Sequence, residues 1–439
     1  MRTCVCLTLL TLLIPGPEPA RTQVPLSPSE APLGIIDTVI IGGNHKTRDY
    51  VILNEMALRR GDTVTAAGMD YDRDRIYSLG LFTRVDVMYD SLEHVKFLYV
   101  DVNERWYLLP FPILGFRDGD TKRFFFGAGL LHENLGGRNQ KLRTLLILGA
   151  DPEVSLAFAD PLILRDEQMF FAAGLSFNRL RNKSEVEVAR TGPFDEFHYD
   201  ANITLGKRFT LTQVAGINAG FRHAEVSAWW PGRTIAPNGK DNFLYGTASY
   251  VLDSRDLFEY PSRGAYAALY ATKYGFGETA VNFTRLGADL RGYVPLPLGF
   301  TLATRVQGSV VSGGEVPIYA HVFFGYGERL RGWFNTVLEG DDCAGATIEL
   351  HHYLLTPRVF RMTALPIPEE FAVWRFGISA AIFANTGNAW YRGQKLTPLY
   401  SGYGAGIHFL LPYSFVVRVE YALNQYRNGE FILDLRGAI

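Results

Sequence analysis

The order of apolar and polar positions divides this chain into two textures. Between Ile35 and Glu104 the pattern switches between period two and near-helical spacing. IIDTVIIGG alternates as a strand does and closes on the turn residues Gly42-Gly43-Asn44. Thr47 is placed to cap a helix carrying Val51, Ile52, Met56 and Leu58, which Gly61-Asp62 ends. A second helix carries Met69, Tyr71, Ile76 and Leu79 and stops at Gly80. Two strands follow, Phe82 to Tyr89 and His94 to Val102, with the turn expected at Asp90-Ser91. The prediction is a small β-α-α-β-β unit over 35–104.

From Arg105 onward the chain alternates at period two between turns, and no amphipathic helix stands out. In TLATRVQGSVV, Arg305, Gln307 and Ser309 share one face, with Leu302, Val306 and Val310 on the other. In FVVRVEYAL, Arg418 and Glu420 oppose Val417, Val419 and Tyr421. A water-filled barrel in lipid needs this polar-in, apolar-out order. FADPLI, EYPSRG, VPLPLG and LLPYS read as short turns on one rim. Longer polar segments around 181–196, 231–242, 313–342 and 386–399 read as loops on the other. About 330 residues at ~10 per strand plus turns predict an all-β transmembrane barrel of about 16 antiparallel strands over 105–439.

Periodicity alone does not separate this barrel from a soluble sandwich with its apolar face buried; glycines, aromatics and the N-terminus tilt the reading to the barrel. No run after the N-terminus has the ~18 uninterrupted apolar residues of a membrane-spanning helix. The 44 glycines, 30 phenylalanines and 23 tyrosines suit a barrel, and the net charge of −2 argues against a nucleic-acid partner. Residues 1–20 read as a secretory signal peptide, with Arg2 before an apolar centre and prolines 15, 17 and 19 breaking any helix. Residues 21–34 form a Pro- and Ser-rich leader. Cys4 and Cys6 leave with the signal, so Cys343 remains without a disulfide or metal partner.

With GGN, LGLF and a closing VNER, the 35–104 unit resembles a POTRA domain, a periplasmic module that precedes outer-membrane barrels. Its sheet edge either receives an extended client as an added strand or only spaces the barrel from other proteins. The barrel resembles the BamA/TamA family of outer-membrane insertases and translocation factors. Four places carry the likeness: ENLGGRN at 133–139, FADPLIL at 158–164, LDSRDLFEYPSRGAY at 252–266 and FFGYGERLRGW at 323–333. The third holds the turn motif Asp253, Arg255, Asp256, Pro261 and Gly264. The fourth implies a sixth outer loop folded into the lumen, with Arg331, Gly332 and Trp333 at its tip.

In the family that arginine pairs with acidic groups on the wall, a role that falls here to Glu349. Asn385, in FANTG, stands where the family has a second acidic anchor, so one carboxylate is expected to carry the grip. Pro110 and Pro112 either deprive the first strand's edge of two N–H groups, making a weak seam, or precede that strand in the linker. The closing strand is expected over 429–436; the chain ends on Ile439 where the family commonly has an aromatic residue.

No nucleophile elbow, phosphate loop or H-E-x-x-H motif is present. His351 and His352 point to opposite faces of a strand, a poor metal site. Neither cofactor nor enzymatic chemistry is expected. The resemblance implies an outer-membrane location with the POTRA domain in the periplasm. It also implies assembly or translocation of unfolded client polypeptides, with periplasmic or inner-membrane proteins as further partners. The alternative is a pore or transporter whose loop acts as a plug.

Overall fold

A computed structural model describes residues 32–117, 121–277, 279–326, 328–361, 373–396, 398–412 and 415–435. The expected signal peptide and nearly all of the leader lie outside these residues. The N-terminal unit has a three-stranded sheet in which Val95–Glu104 lies centrally, parallel to Thr38–Gly42 and antiparallel to Phe82–Leu92. Two helices, Asp49–Leu53 and Ala66–Ser78, pack on it. Its core is fully enclosed: Ile52, Met56, Ile76, Leu81, Leu98 and Val100 have no exposed surface.

Local details depart from the pattern. The first helix ends at Leu53, well short of Gly61, because Asp72 on the second helix captures the chain beyond it. Its carboxylate accepts the N–H groups of Ala57 (2.6 Å) and Leu58 (3.0 Å), drawing Met56 and Leu58 into the core without helical geometry. Thr47 does not cap this helix, whose N-cap is Arg48 without a side-chain bond. The buried Thr47 hydroxyl instead meets Tyr107 Oη at 2.8 Å. Nor does the hairpin turn at Asp90-Ser91. Its register, fixed by burying Val85 opposite Val102 and Val100 beside them, carries pairing on to Leu92 and Val95. Glu93 and His94 make the turn in left-handed conformations.

Sixteen antiparallel strands then follow in consecutive order, from Leu108–Phe116 to Gly429–Leu435. Their outward faces are apolar: Leu114, Ile217, Leu244, Val306, Leu354 and Phe431 are each more than half exposed. The opposite faces hold Arg305, Glu349, Arg418 and Glu420. That surface suits lipid rather than water. Among the described residues no helix is long and apolar enough to cross a membrane.

The rims correct three expectations. FADPLI is not a turn: the fourth strand, Glu153–Leu164, runs through it, and the chain reverses at Arg165–Gln168. Pro161 is tolerated there because it falls at a bulge in the pairing with the fifth strand, where no regular ladder bond is lost. Residues 386–390 belong to the thirteenth strand, Val373–Trp390, rather than to a loop. A short helix missed by the pattern, Glu185–Thr191, is capped by Ser184 inside the fifth-to-sixth connection.

Burial pushes the Asp72 carboxyl up to about 6, against the opposing pull of its two backbone bonds and of Arg59 and Arg75. Its ordinary value is 3.8, so the folded domain holds this proton more tightly than the unfolded chain does. The resulting penalty is absent below that value and reaches about 3 kcal/mol above pH 6. Amide exchange of the 55–58 segment in the intact protein, corrected for intrinsic rates, should therefore lose protection as pH rises from 4 to 6. Asp72→Asn should flatten that slope.

Candidate functional site

The connection between the eleventh strand, Phe300–Gly313, and the twelfth, Asp342–Arg361, is the longest in the barrel. A short ribbon, Val322–Phe324 with Leu338–Gly340, leads it inward. Leu330 then buries itself with Phe324, Leu338 and Ala389. ERLRGW thus lies against the inner faces of strands eleven to sixteen. Glu328, at its start, takes bonds from Arg305 and Gln307 at 3.2 Å.

Arg331 is the centre of the arrangement. Its Nη1 lies 2.8 Å from Glu349 Oε2 and 3.0 Å from Glu420 Oε1. The guanidinium rests 3.7 Å from the centroid of Phe383. Glu349 and Glu420 are 1% and 2% exposed, so these charges answer each other rather than water. The expected pairing with Glu349 is present, but the expectation of a single acidic anchor is overturned. Glu420 on the fifteenth strand, Phe415–Asn424, supplies a second carboxylate. Alternation placed Glu420 on the polar face; which strand meets the loop tip is a matter of tertiary approach. Asn385 has a different task, donating from Nδ2 to the Arg331 carbonyl at 3.2 Å.

Backbone fit locks the tip in place. Gly332 adopts φ +93°, and the Arg331 carbonyl presses against Gly402, where a Cβ would lie only 1.9 Å from that oxygen. The N–H groups of Gly332 and Phe334 both donate to Glu430 Oε1, at 2.7 and 2.8 Å. Trp333 Nε1 donates to Ser401 O at 3.1 Å and to Gln425 Oε1 at 2.8 Å, its ring edge-on to Tyr400 and Tyr426. The loop therefore holds the last strand, Gly429–Leu435, through Glu430.

The Asp253 to Gly264 motif forms the connection after the eighth strand. Arg255 pairs with Asp253 at 2.6 Å, and Asp256 Oδ1 accepts the Leu257 and Ser262 N–H groups, both at 2.9 Å. Pro261 follows Tyr260, which the turn buries in the barrel to 1% exposure. Tyr260 Oη meets His408 Nδ1 at 2.9 Å, and His408 Nε2 meets Glu420 Oε1 at 3.1 Å. A side-chain path thus joins this turn to the loop clamp. Sequence reading missed Tyr260, His408 and Glu430, whose roles arise only from pairing across strands.

The N-terminal unit closes on the same rim. Asn134 donates to Thr47, Gln168 to Asn54, and the Phe258 N–H to Ser78. Arg208 grips Glu55 through two bonds of 2.6 and 2.8 Å, and Arg75 adds a third at 2.8 Å. Burial alone would raise the Glu55 carboxyl, but Arg208 and Arg75 outweigh it and hold it below its usual range. Arg375, at the start of the thirteenth strand, pairs with Glu259 and lies over the Tyr77 ring.

Pro110 and Pro112 lie inside the first strand, opposite Leu130 and Ala128, and not in a preceding linker. Tyr107 O and Arg117 N bond toward the second strand, so odd-numbered backbone groups face that way. The two proline nitrogens, at even positions, face the outer edge and leave it short of donors. In the last strand Asn424 and Asn428 fix the opposite parity, with the N–H groups of Phe431 and Leu433 on the free edge. Among the described residues no ladder joins the first strand to the last.

The model of the Omp85 superfamily domain matches residues 134–431, and that of the POTRA domain, a surface antigen variable number repeat, matches 35–105. The fold is similar to BamA from Haemophilus ducreyi lacking POTRA domains 1–3. Identity to it is 14% and the TM-score 0.54, over 92% of this chain and 83% of that one. It is also similar to CdiB from Escherichia coli at 9% identity and TM-score 0.50, over 94% and 91% of the two chains. No curated relative matches the sequence.

Arg331→Ala removes the one cation bonded to both buried carboxylates and leaves them only Arg418 nearby, a loss of up to about 3–5 kcal/mol where water stays excluded. The variant should lower the temperature at which the barrel loses its compact gel mobility. Gly402→Ala keeps every charge yet pushes the tip from the wall, so external trypsin should cut after Arg329 and Arg331 faster than in the parent.

Proposed function

The chain belongs to the Omp85 superfamily, and on that premise we propose that it inserts polypeptides into the outer membrane or translocates them across it. The POTRA domain then lies in the periplasm, and the work is mechanical, without enzymatic chemistry. The observation that carries this reading is the first strand's outer edge, where Pro110 and Pro112 remove two successive donors. A seam short of hydrogen bonds costs less to part than any other strand pair, and the parted edges can template a client strand. The loop clamp supports the same reading, because it grips the last strand through Glu430. Withdrawal of Arg331 would release the seam from inside.

The POTRA sheet offers a second edge. Arg375 and the barrel rim lie on the side of Tyr77 and the Phe82–Leu92 strand. Thr38–Gly42 forms the other edge of the sheet and is the strand we assign to an arriving extended client. Contacts from the first periplasmic turn to the thirteenth strand would make the domain a lid that swings when Glu55 leaves Arg208.

Depletion followed by a census of folded outer-membrane proteins tests the reading: at least one should fall. Unchanged levels of all of them, with steady large conductance in bilayers, would instead identify a pore plugged by its loop. Pro110→Ala with Pro112→Ala restores two edge donors. Each new bond should add about 0.5–1.5 kcal/mol to the seam, raising thermal stability while reducing client yield.

A further inference from the structure

Around Arg331 lies a set of side chains that a loop anchor does not require. Glu349, His408 and Glu420 present ligand atoms all within 4.8 Å of one another, and each residue is buried. A salt bridge needs only the two carboxylates. The imidazole of His351 adds an independent sign: it is 1% exposed, and neither ring nitrogen has a hydrogen-bond partner among the described residues. Its Nδ1 faces Glu349 Oε1 at 3.7 Å, and that oxygen also lacks a hydrogen bond. Burying an imidazole with Nε2 unpartnered and Nδ1 held only by this long contact is unfavourable unless some state of the protein uses them.

We propose that Glu349, His351, His408 and Glu420 form a divalent transition-metal site, best suited to zinc, which the metal and the Arg331 guanidinium occupy by mutual exclusion. Two imidazoles and two carboxylates are zinc-type donors, whereas calcium and magnesium take oxygen ligands. The residues come from three strands: Glu349 and His351 share the inner face of the twelfth, His408 lies on the fourteenth, and Glu420 on the fifteenth. Hence the poor outlook for the His351-His352 pair does not apply, because His351 is joined by Glu349 on its own face and by residues of two other strands rather than by His352. Tyr260 Oη at His408 Nδ1 holds the ring so that Nε2 faces the cluster. A hydrogen-bond partner on the far ring nitrogen does this for metal-bound histidines in general.

Competition follows from charge and space. Arg331 Nη1 already touches both carboxylates, so a metal ion cannot enter until the loop tip leaves. Once it leaves, the two buried carboxylates keep Arg418 nearby but lose the cation bonded to both, and the ion takes that place. Zinc would therefore trap the withdrawn loop, with Glu430 released from Gly332 and Phe334. This inference rests on the cluster alone and not on client insertion, so the two can fail separately.

The test uses the full-length protein, folded in detergent micelles, with zinc as the only added metal. Equilibrium dialysis should show one zinc bound per chain of the Arg331→Ala variant, about tenfold or more tighter than to the parent. Adding His351→Ala or His408→Ala to that variant should weaken binding by about tenfold or more. Cobalt in place of zinc should give visible absorption that either histidine change removes. Should Arg331→Ala fail to fold, the parent decides: zinc must speed external trypsin cleavage after Arg331, and His351→Ala must abolish that effect. Equal zinc affinity in parent and Arg331→Ala, affinity indifferent to both histidines, or trypsin cleavage unmoved by zinc would overturn the proposal.

Discussion

One guanidinium between two buried carboxylates organises the inner half of this barrel. Arg331 enters from a loop, whereas Glu349 and Glu420 come from strands twelve and fifteen. None of the three charges has enough water to be stable alone, so each fixes the position of the others. The constraint spreads through the backbone. Gly402 must lack a side chain where the Arg331 carbonyl arrives, and Gly332 must turn left-handed so that its N–H reaches Glu430. A loop with many conformations open to it becomes part of the wall.

The clamp also ties together parts far apart in sequence. Glu420 bonds His408, His408 bonds Tyr260, and Tyr260 belongs to the turn whose neighbour Phe258 meets the POTRA helix at Ser78. The loop tip and the POTRA domain are thus linked through Glu420, His408 and Tyr260, all buried, and then through the backbone of the exposed Phe258. Glu55 with Arg208 makes a comparable charge contact at the lower rim, where burial is partial and solvent screens more of it. The lower contact is therefore the weaker of the two.

Opposed to this, under the proposed function, is a seam poor in donors. Two prolines remove donors from the first strand's edge, and among the described residues no ladder joins it to the last strand. The loop compensates by holding that strand from within. Under the proposed function, stability and release then depend on the same residues.

Periodicity made the alternating strands legible, and glycines, aromatics and the expected signal peptide tilted them toward a barrel, whose lumen and lipid demand opposite chemistry at alternate positions. The tip of the sixth loop was legible through Arg331, and Glu349 through its place on a polar face. The first helix was not: its apolar spacing persists past Leu53, yet Asp72, nineteen positions away, captures the amides and ends it. FADPLI reads as a turn because proline usually breaks strands, and only pairing with the fifth strand reveals a bulge that accepts Pro161. Glu420 as second anchor, Glu430 as the hold on the last strand and the idle His351 were beyond the sequence for one reason. Alternation says which face a side chain takes, but only closing the strands around a lumen decides which faces meet.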